Sequence, residues 1–285
     1  MADSAPVVLI TGCSSGIGLS AALQMQSLGW QVFPTARKAA DLEMLTDKGF
    51  TPLELDMADT DSVQACIRSL EGQTGGRLDG LVNNAGYGQP GALEDLDRAA
   101  MRRQFEVNVF GLQELTNLAL PMMLPRKQGR IVHISSVVGR VALPFMGIYS
   151  ASKFAVEAMA DAQRVELSGT GVRVSLVEPG PIATRFTENA VGTTVPQVPG
   201  ASARFAELYE KELRHRAERD GPKPFALPPE AVARKIAHAL TAARPRKRYK
   251  VTIPAYAGAA LSRMAPDGLL DFILSRELKQ RMPGQ

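Results

Sequence analysis

The run Pro6-Val-Val-Leu-Ile-Thr11, followed at once by Gly12-Cys-Ser-Ser-Gly-Ile-Gly18, constrains this chain more than any other stretch. A short apolar run with polar residues before it and glycines after it suits a strand buried on both faces of a parallel sheet. Leu19 to Leu28 continues at helical periodicity, which places the glycines in a strand-to-helix turn. Gly12 allows a tight turn there, and the later glycines let backbone approach a pyrophosphate and the helix pack on the sheet. The free N–H groups and positive dipole end of that helix suit phosphate oxygens.

The same alternation continues along the chain. Gln31 to Thr35, Thr51 to Leu55, Leu78 to Asn83, Arg130 to Ser135, Val172 to Val177 and Tyr249 to Ile253 read as further strands. Between them, helices are expected over Ala39–Lys48, Asp59–Leu70, Asp97–Leu124 with a break near Val107-Asn108, a segment reaching about Leu167, and Pro229–Ala243. Strands and helices alternating at these lengths imply an α/β fold, a doubly wound parallel sheet whose C-terminal strand edge binds ligands. No internal repeat or linker divides the 285 residues, so 1–285 reads as a single domain. Its core spans 6–180. An irregular insertion over 181–228, with a charged helical piece from Ala203 to Arg219, follows the C-terminal end of a strand and is read as a substrate lid. Residues 229–285 supply the last helix, the last strand and a C-terminal extension.

Composition narrows the class. Hydrophobic residues at 45% and charged residues at 22% belong to a globular chain with a sizeable core. Cys13 and Cys66 match neither a disulfide framework nor metal-ligand spacing, and no signal peptide is visible from Met1 to Thr11, which predicts a reducing, cytoplasmic setting. The net charge of +4 is modest, and its densest cluster, Arg244, Arg246, Lys247, Arg248 and Lys250, has few aromatics interleaved. It reads as a solvated connection between helix and strand, not a nucleic-acid surface. No apolar run approaches the ~20 residues of a membrane span. The stretch from Ala255 to Leu278 is interrupted by Arg263, Asp267 and Asp271 and reads as a packed or interfacial helix, compatible at most with weak peripheral membrane association.

The chemistry concentrates in Tyr149-Ser-Ala-Ser-Lys153. Tyr149 and Lys153 are four residues apart and share a helix face. A phenol titrates near pKa ~10, and a cation one turn away favours the phenolate, drawing the group towards acid–base work at neutral pH. Such pairs are also common as surface decoration, so the neighbouring motifs carry the weight.

Thr11-Gly-Cys-Ser-Ser-Gly-Ile-Gly18, Asn83-Asn-Ala-Gly86, Ser135-Ser136 and Tyr149-x-x-x-Lys153, in this order, resemble the short-chain dehydrogenase/reductase family from Pro6 to about Ile253. Ile10-Thr-Gly-Cys-Ser-Ser-Gly-Ile-Gly and Glu178-Pro-Gly-Pro-Ile-Ala-Thr184 are similar both to the 17β-hydroxysteroid and retinol dehydrogenase branch and to related bacterial aldehyde reductases. The resemblance implies a Rossmann-type sheet, Tyr149 as general acid/base and Lys153 as its partner and a ligand of the nicotinamide ribose. It makes Ser136, thirteen residues before Tyr149, the group that polarises the substrate oxygen, and Asn108 the residue that holds a water in a proton relay. It assigns Gly12, Ser14, Ser15, Gly16, Ile17 and Gly18 to the pyrophosphate, Asp56 and Met57 to the adenine, and Asn83, Ala85 and Gly86 to its ribose side. Pro179, Gly180, Ile182 and Thr184 fall to the nicotinamide end. A homodimer or homotetramer is likewise implied.

Cofactor choice turns on the end of the second strand. An NAD-preferring site places an acid there for the ribose 2′-OH. This chain has Pro34-Thr-Ala-Arg-Lys38 with no carboxylate until Asp41, and Arg37 can pair with a 2′-phosphate and stack on adenine. NADP(H) is therefore the expected cofactor, with NAD(H) the second option; the competing reading of Arg37 and Lys38 is the start of a solvated helix. Leu143, Pro144, Phe145 and Met146, between Ser136 and Tyr149, could wall an apolar pocket for a small carbonyl or alcohol substrate, with core packing the competing reading for each. His133 and His215 read as structural or surface residues. The alternative function is a non-enzymatic NADP(H)-binding sensor.

Overall fold

The computed structural model describes residues 5–184, 205, 207, 209 and 225–281. Seven parallel strands form one sheet: β1 (Val7–Ile10), β2 (Gln31–Ala36), β3 (Leu53–Glu54), β4 (Gly80–Asn83), β5 (Gly129–Ile134), β6 (Val172–Pro179) and β7 (Arg248–Val251). Their order is β3-β2-β1-β4-β5-β6-β7, so the sequence reverses direction across the sheet between β1 and β4. That switch point opens the crevice in which α/β sheets bind ligands.

Alternation along each strand builds both layers around the sheet. Val7, Leu9, Leu81, Ile131 and Val174 face α3 (Thr60–Thr74), α5 (Gly111–Ala119) and α6 (Gly147–Glu166) through Val63, Ile67, Leu112, Leu115, Val156 and Ala160. Val8, Ile10, Val82, Val132 and Val177 face α1 (Gly16–Ser27), α2 (Ala39–Asp47) and α7 (Pro229–Thr241) through Ala21, Met25, Leu45, Val232, Ile236 and Leu240.

The predicted elements are present, with instructive changes at their ends. The break foreseen in the 97–124 stretch is a π-turn, Glu106–Phe110, between α4 (Arg98–Phe105) and α5. β7 stops at Val251 and not at Ile253, because Thr252 takes φ 103° and its hydroxyl accepts from the Ala255 N–H at 3.4 Å, starting a helix. The expected single C-terminal helix is two, α8 (Ile253–Met264) and α9 (Asp267–Arg281), divided at Ala265-Pro266. Proline disfavours helical backbone in the residue before it, and Ala265 is extended. The predicted helical piece Ala203–Arg219 lies outside the described residues except for Phe205, Glu207 and Tyr209, and His215 lies outside them altogether.

At the opposite, N-terminal edge of the sheet, buried Asp79 accepts from the Val7 N–H at 2.8 Å, from Arg77 Nε at 2.9 Å and from Arg126 Nη2 at 2.8 Å. These donors hold its pKa below the usual carboxylate value although burial pushes the other way. The carboxylate thereby pins β1 to the loop before β4. Asp79→Ala is expected to lower unfolding free energy by about 2–4 kcal/mol, because a buried N–H and two guanidiniums lose their partner; a shift of the urea midpoint at unchanged slope checks it.

Candidate active site

The turn between β1 and α1 is built by close approach. Gly12 and Gly16 have φ of 71° and 59°. A Cβ on Gly12 would lie 2.8 Å from Ala85 Cα, one on Gly16 3.1 Å from Thr184 Cγ2, and one on Gly18 would overlap the Gly12 carbonyl oxygen. The glycines thus bring the ends of β1, β4 and β6 within contact of one another. Thr11 and Asn84 lock the arrangement: the Asn84 and Ala85 N–H groups donate to Thr11 Oγ1 at 2.9 and 2.8 Å, and Asn84 Nδ2 donates to the Thr11 and Gly12 carbonyls. Ser15 makes no side-chain cap to α1, so the first N–H groups of that helix remain open to an anion. Ser14 is exposed and Ile17 half-buried beside them. A cradle with no room for side chains, ending on a helix N-terminus, fits a dinucleotide pyrophosphate.

Other predicted binding residues fall around this cradle with distinct roles. Arg37 and Asp56 face each other at 3.6 Å beyond the end of β2, with the Arg37 side chain 65% exposed. An ion pair so exposed contributes little to stability and leaves the guanidinium accessible. Met57 is buried, and its carbonyl lies where a Cβ on Gly111 would fall. Gly86 packs against Asn108 Oδ1. The Asn83 side chain turns inward instead, donating to Thr116 Oγ1 at 2.9 Å and bonding His133 Nδ1 at 3.1 Å. Only its backbone reaches the strand edge. Pro181 to Thr184 pair with the returning end of the insertion: Ala183 N–H donates to the Leu227 carbonyl and Leu227 N–H to that of Pro181. The insertion therefore leaves and returns at one place beside Ile182. Gly180 lets α8 pack here, since a Cβ on it would overlap Thr252 Oγ1.

Tyr149 and Lys153 lie on the first turns of α6 and are both buried. Ser136 follows β5, its hydroxyl donating to the Pro179 carbonyl at 3.4 Å and accepting from the Val138 N–H at 3.3 Å. The same hydroxyl lies beside the Tyr149 phenol, close enough to restrain the rise of its pKa. The ends of β5 and β6 and the start of α6 thus come together around the Ser136 hydroxyl. Ser135 points away, beside the Glu157 carboxylate, whose pKa it lowers while falling short of full hydrogen-bond geometry. Asn108, fully buried in the π-turn, closes a ring with the Tyr87 backbone, accepting from its N–H at 3.1 Å and donating to its carbonyl at 2.9 Å, and also donates to Ser152 Oγ at 3.2 Å.

The electrostatics revise one expectation. Among the protein's own groups, burial pushes the Tyr149 phenol up to about 12, and the Ser136 hydrogen bond only partly opposes it. Lys153 does not offset this rise, because its Nζ donates to the Ile134 carbonyl at 2.8 Å and stands 5.8 Å from the phenol ring centre. Burial draws Lys153 itself down to about 8, against the favourable charge of Glu157. The ammonium is held by β5 and not by the tyrosine.

Two features escaped the sequence. A partly buried ion cluster joins Glu157, Asp161 and Arg164 of α6, Glu178 of β6, Arg140 after the Ser136 turn and Arg248 of β7. Arg248 is therefore not part of the solvated basic connection to which it was assigned. The i,i+4 step from Lys153 to Glu157 was the available signal. The second is an aromatic contact: Phe145, at φ 61°, meets the Phe205 ring edge-on at 5.1 Å and lies 6.1 Å from Tyr209. The Tyr209 hydroxyl donates to Asp95 Oδ2 at 2.6 Å and accepts from the Ala92 N–H at 2.8 Å.

Comparison with known proteins agrees with this geometry. A family model described as short chain dehydrogenase matches residues 6–194, and the chain belongs to that family. The Escherichia coli (strain K12) protein named uncharacterized oxidoreductase YbbO is 42% identical over 270 residues, 94% of this chain and 93% of its own. Retinol dehydrogenase 8 of Bos taurus is 36% identical, covering 99% and 93%, and the NADPH-dependent 3-dehydrocapnine reductase of Ornithobacterium rhinotracheale is 34% identical, covering 95% and 97%. Among solved structures, a Burkholderia phymatum short chain dehydrogenase/reductase in complex with NAD superposes with TM-score 0.76 at 27% identity, over 99% of this chain and 97% of that one. One from Burkholderia cenocepacia in complex with NADP gives 0.72 at 26%, over 95% and 98%. The protein is an oxidoreductase of this family with its doubly wound sheet.

His133, on β5 with its ring against Gln163 of α6, supplies a pH test. Its nitrogens contact Asn83 and Gln163 Oε1, and burial draws its pKa from 6.5 to about 4. As pH falls, the unfolded chain takes up this proton before the folded one, so stability present above 6.5 is lost as pH falls towards 4, by about 3 kcal/mol at most. Thermal melts across that window are expected to flatten in His133→Gln relative to the native protein.

Proposed function

We propose that the protein is an NADP(H)-dependent oxidoreductase that interconverts an apolar aldehyde or ketone and its alcohol, with Tyr149 as general acid/base. The observation that carries this reading is the buried contact of the Tyr149 phenol with Ser136, beside a glycine cradle at the C-terminal sheet edge. Carbonyl reduction builds negative charge on oxygen as hydride arrives at carbon. Tyr149 and Ser136 are donors for that oxygen, and Tyr149 then delivers its proton. The cofactor supplies the hydride and, when oxidised, a positive ring. A phenol raised by burial stays protonated across neutral pH, which suits the acid role in reduction. Asn108, in the π-turn, holds the water of a proton relay that runs from Lys153 to solvent.

The pyrophosphate is assigned to Gly12, Ser14, Ser15, Gly16, Ile17 and Gly18, the adenosine to Asp56, Met57, Asn83, Ala85 and Gly86, and the nicotinamide end to Lys153, Pro179, Gly180, Ile182 and Thr184. Arg37 takes the 2′-phosphate. Its exposed guanidinium supports this, as does the cofactor named for the 3-dehydrocapnine reductase. Leu143, Pro144, Phe145 and Met146 wall the substrate side, and the lid expected over 181–228 lies mostly outside the described residues. The substrate's apolar character is supported by relatives such as retinol dehydrogenase 8. A homodimer or homotetramer forms through α5 and α6, where Phe154 and Val165 are exposed and Phe110 opens the face. Two buried free thiols support a cytoplasmic setting, and no described helix is long and apolar enough to cross a membrane.

The test is loss of reduced-nicotinamide absorbance on a panel of aldehydes, ketones, steroids and retinoids. Tyr149→Phe is expected to bind NADPH as the native protein does and to lose turnover by at least ~10²-fold; near-native turnover removes Tyr149 from the role. Arg37→Asp is expected to move the NADPH/NADH ratio of kcat/KM towards NADH by about tenfold or more, the cost of losing one charged contact and adding a repulsion. NADPH binding without turnover on any substrate would instead indicate a sensor.

A further inference from the structure

At the sheet edge opposite the glycine turn, where α7 ends and β7 begins, lies a cavity of about 210 Å³ lined by Arg234, Lys235, His238, Arg246 and Tyr249. One water needs only ~10–15 Å³, so a larger polar group has room. The lining holds three cations and no carboxylate. None of the three cations forms an ion pair among the described residues. Glu230, one turn before Arg234 on α7, is the acid closest to it in sequence, and no ion pair joins the two.

Hydrogen bonds from two strands fix this lining, which separates it from the exposed basic run beside it. The Arg246 carbonyl accepts from Ser175 Oγ of β6 at 2.8 Å, and the Arg246 N–H donates to the buried Tyr249 hydroxyl at 2.9 Å. That hydroxyl also meets His238 Nδ1 at 2.9 Å. Having accepted from Arg246, it gives its own proton to Nδ1, so the neutral imidazole carries its hydrogen on Nε2. Nε2 has no partner among the described residues and remains a donor. Lys247, the next residue along, is exposed and does not line the cavity.

The surroundings share the sign. Arg173, two residues before Ser175 on the same face of β6, lies in register beside Arg130 of β5. Like charges opposite one another on a sheet repel, and Arg130 Nε is buried without a hydrogen-bond partner. The negative end of the α7 dipole opposes an anion here, but its roughly half a charge is outweighed by three full ones.

We propose that this cavity binds the phosphate group of a soluble anion, at a site separate from the glycine cradle. Arg234 and Arg246 present planar guanidiniums that match phosphate oxygens, Lys235 adds charge, and His238 donates through Nε2. The carrier is soluble: the exposed apolar side chains Ile253, Tyr256 and Phe272, which could anchor a lipid, belong to helices that follow the opposite end of β7.

The test is calorimetric titration of the full chain with inorganic phosphate at low ionic strength. Saturable binding is expected in the native protein. Arg234→Gln and Arg246→Gln should each weaken it at least about tenfold, the effect of losing one charge-assisted bond. Tyr249→Phe keeps every charge but frees His238 and the Arg246 backbone, and should weaken binding at least about threefold. Lys247→Gln removes the same charge one residue away and should leave the affinity native. Arg234, Arg246 and Lys247 are exposed, so these variants should fold, and equal melting temperatures without phosphate check it. Equal weakening by Lys247→Gln and Arg246→Gln would reduce the site to diffuse attraction by a basic surface and overturn the proposal. Native affinity in the Arg234→Gln/Arg246→Gln double variant would assign the phosphate to the glycine cradle and overturn it too, as would no binding by the native protein. Co-sedimentation with phosphatidylcholine vesicles containing phosphatidic acid, lost in that double variant, would overturn the soluble carrier; no co-sedimentation supports it.

Discussion

Everything in the molecule depends on a sheet whose central strands are covered on both faces. Val7 and Leu9 pack into one layer, Val8 and Ile10 into the other, and neither face meets water. Parallel strands buried in this way need crossover helices, and right-handed crossovers place every strand C-terminus on the same edge. The residues at that edge are then the ones free to do chemistry. Gly12, Ala85, Ser136, Pro179 and Thr184 are neighbours because each ends or follows a strand.

The edge also sets the electrostatics. A site built over a buried sheet is dry, and dryness penalises every charge placed in it. Tyr149 responds by staying protonated, Lys153 by approaching neutrality, and His133 by remaining neutral. The carboxylates buried below the site, Glu157 and Glu178, are held by guanidiniums instead, Arg140 and Arg248 meeting both. Arg140 and Arg248 tie α6 to β6 and β7 through these carboxylates.

Local pattern and long-range contact contributed differently. Strand positions were legible because continuous apolar runs are what double burial demands, and the π-turn was foreseen as a break at Val107-Asn108. Strand and helix ends were less legible. Thr252 terminates β7 through an unusual φ, and no residue-type preference announces that. Likewise Asn83, placed by motif at the ribose, commits its side chain to Thr116 and His133 within the core. Arg248 looked like part of an exposed basic run, yet its partner Glu157 is 91 residues away; charge alone cannot distinguish a solvated arginine from a buried one.

The sequence by itself determined the doubly wound sheet, the family and the placing of Tyr149 and Lys153 one helical turn apart, because each rests on short-range spacing: apolar runs, glycines in a turn, one helical step. Tertiary structure alone decided that Lys153 is held by the Ile134 carbonyl, and that Glu157, Asp161 and Glu178 meet Arg140, Arg164 and Arg248 behind it. Those outcomes depend on segments brought together by strand order and on the dryness of the place where they meet, neither of which any local stretch of residues encodes.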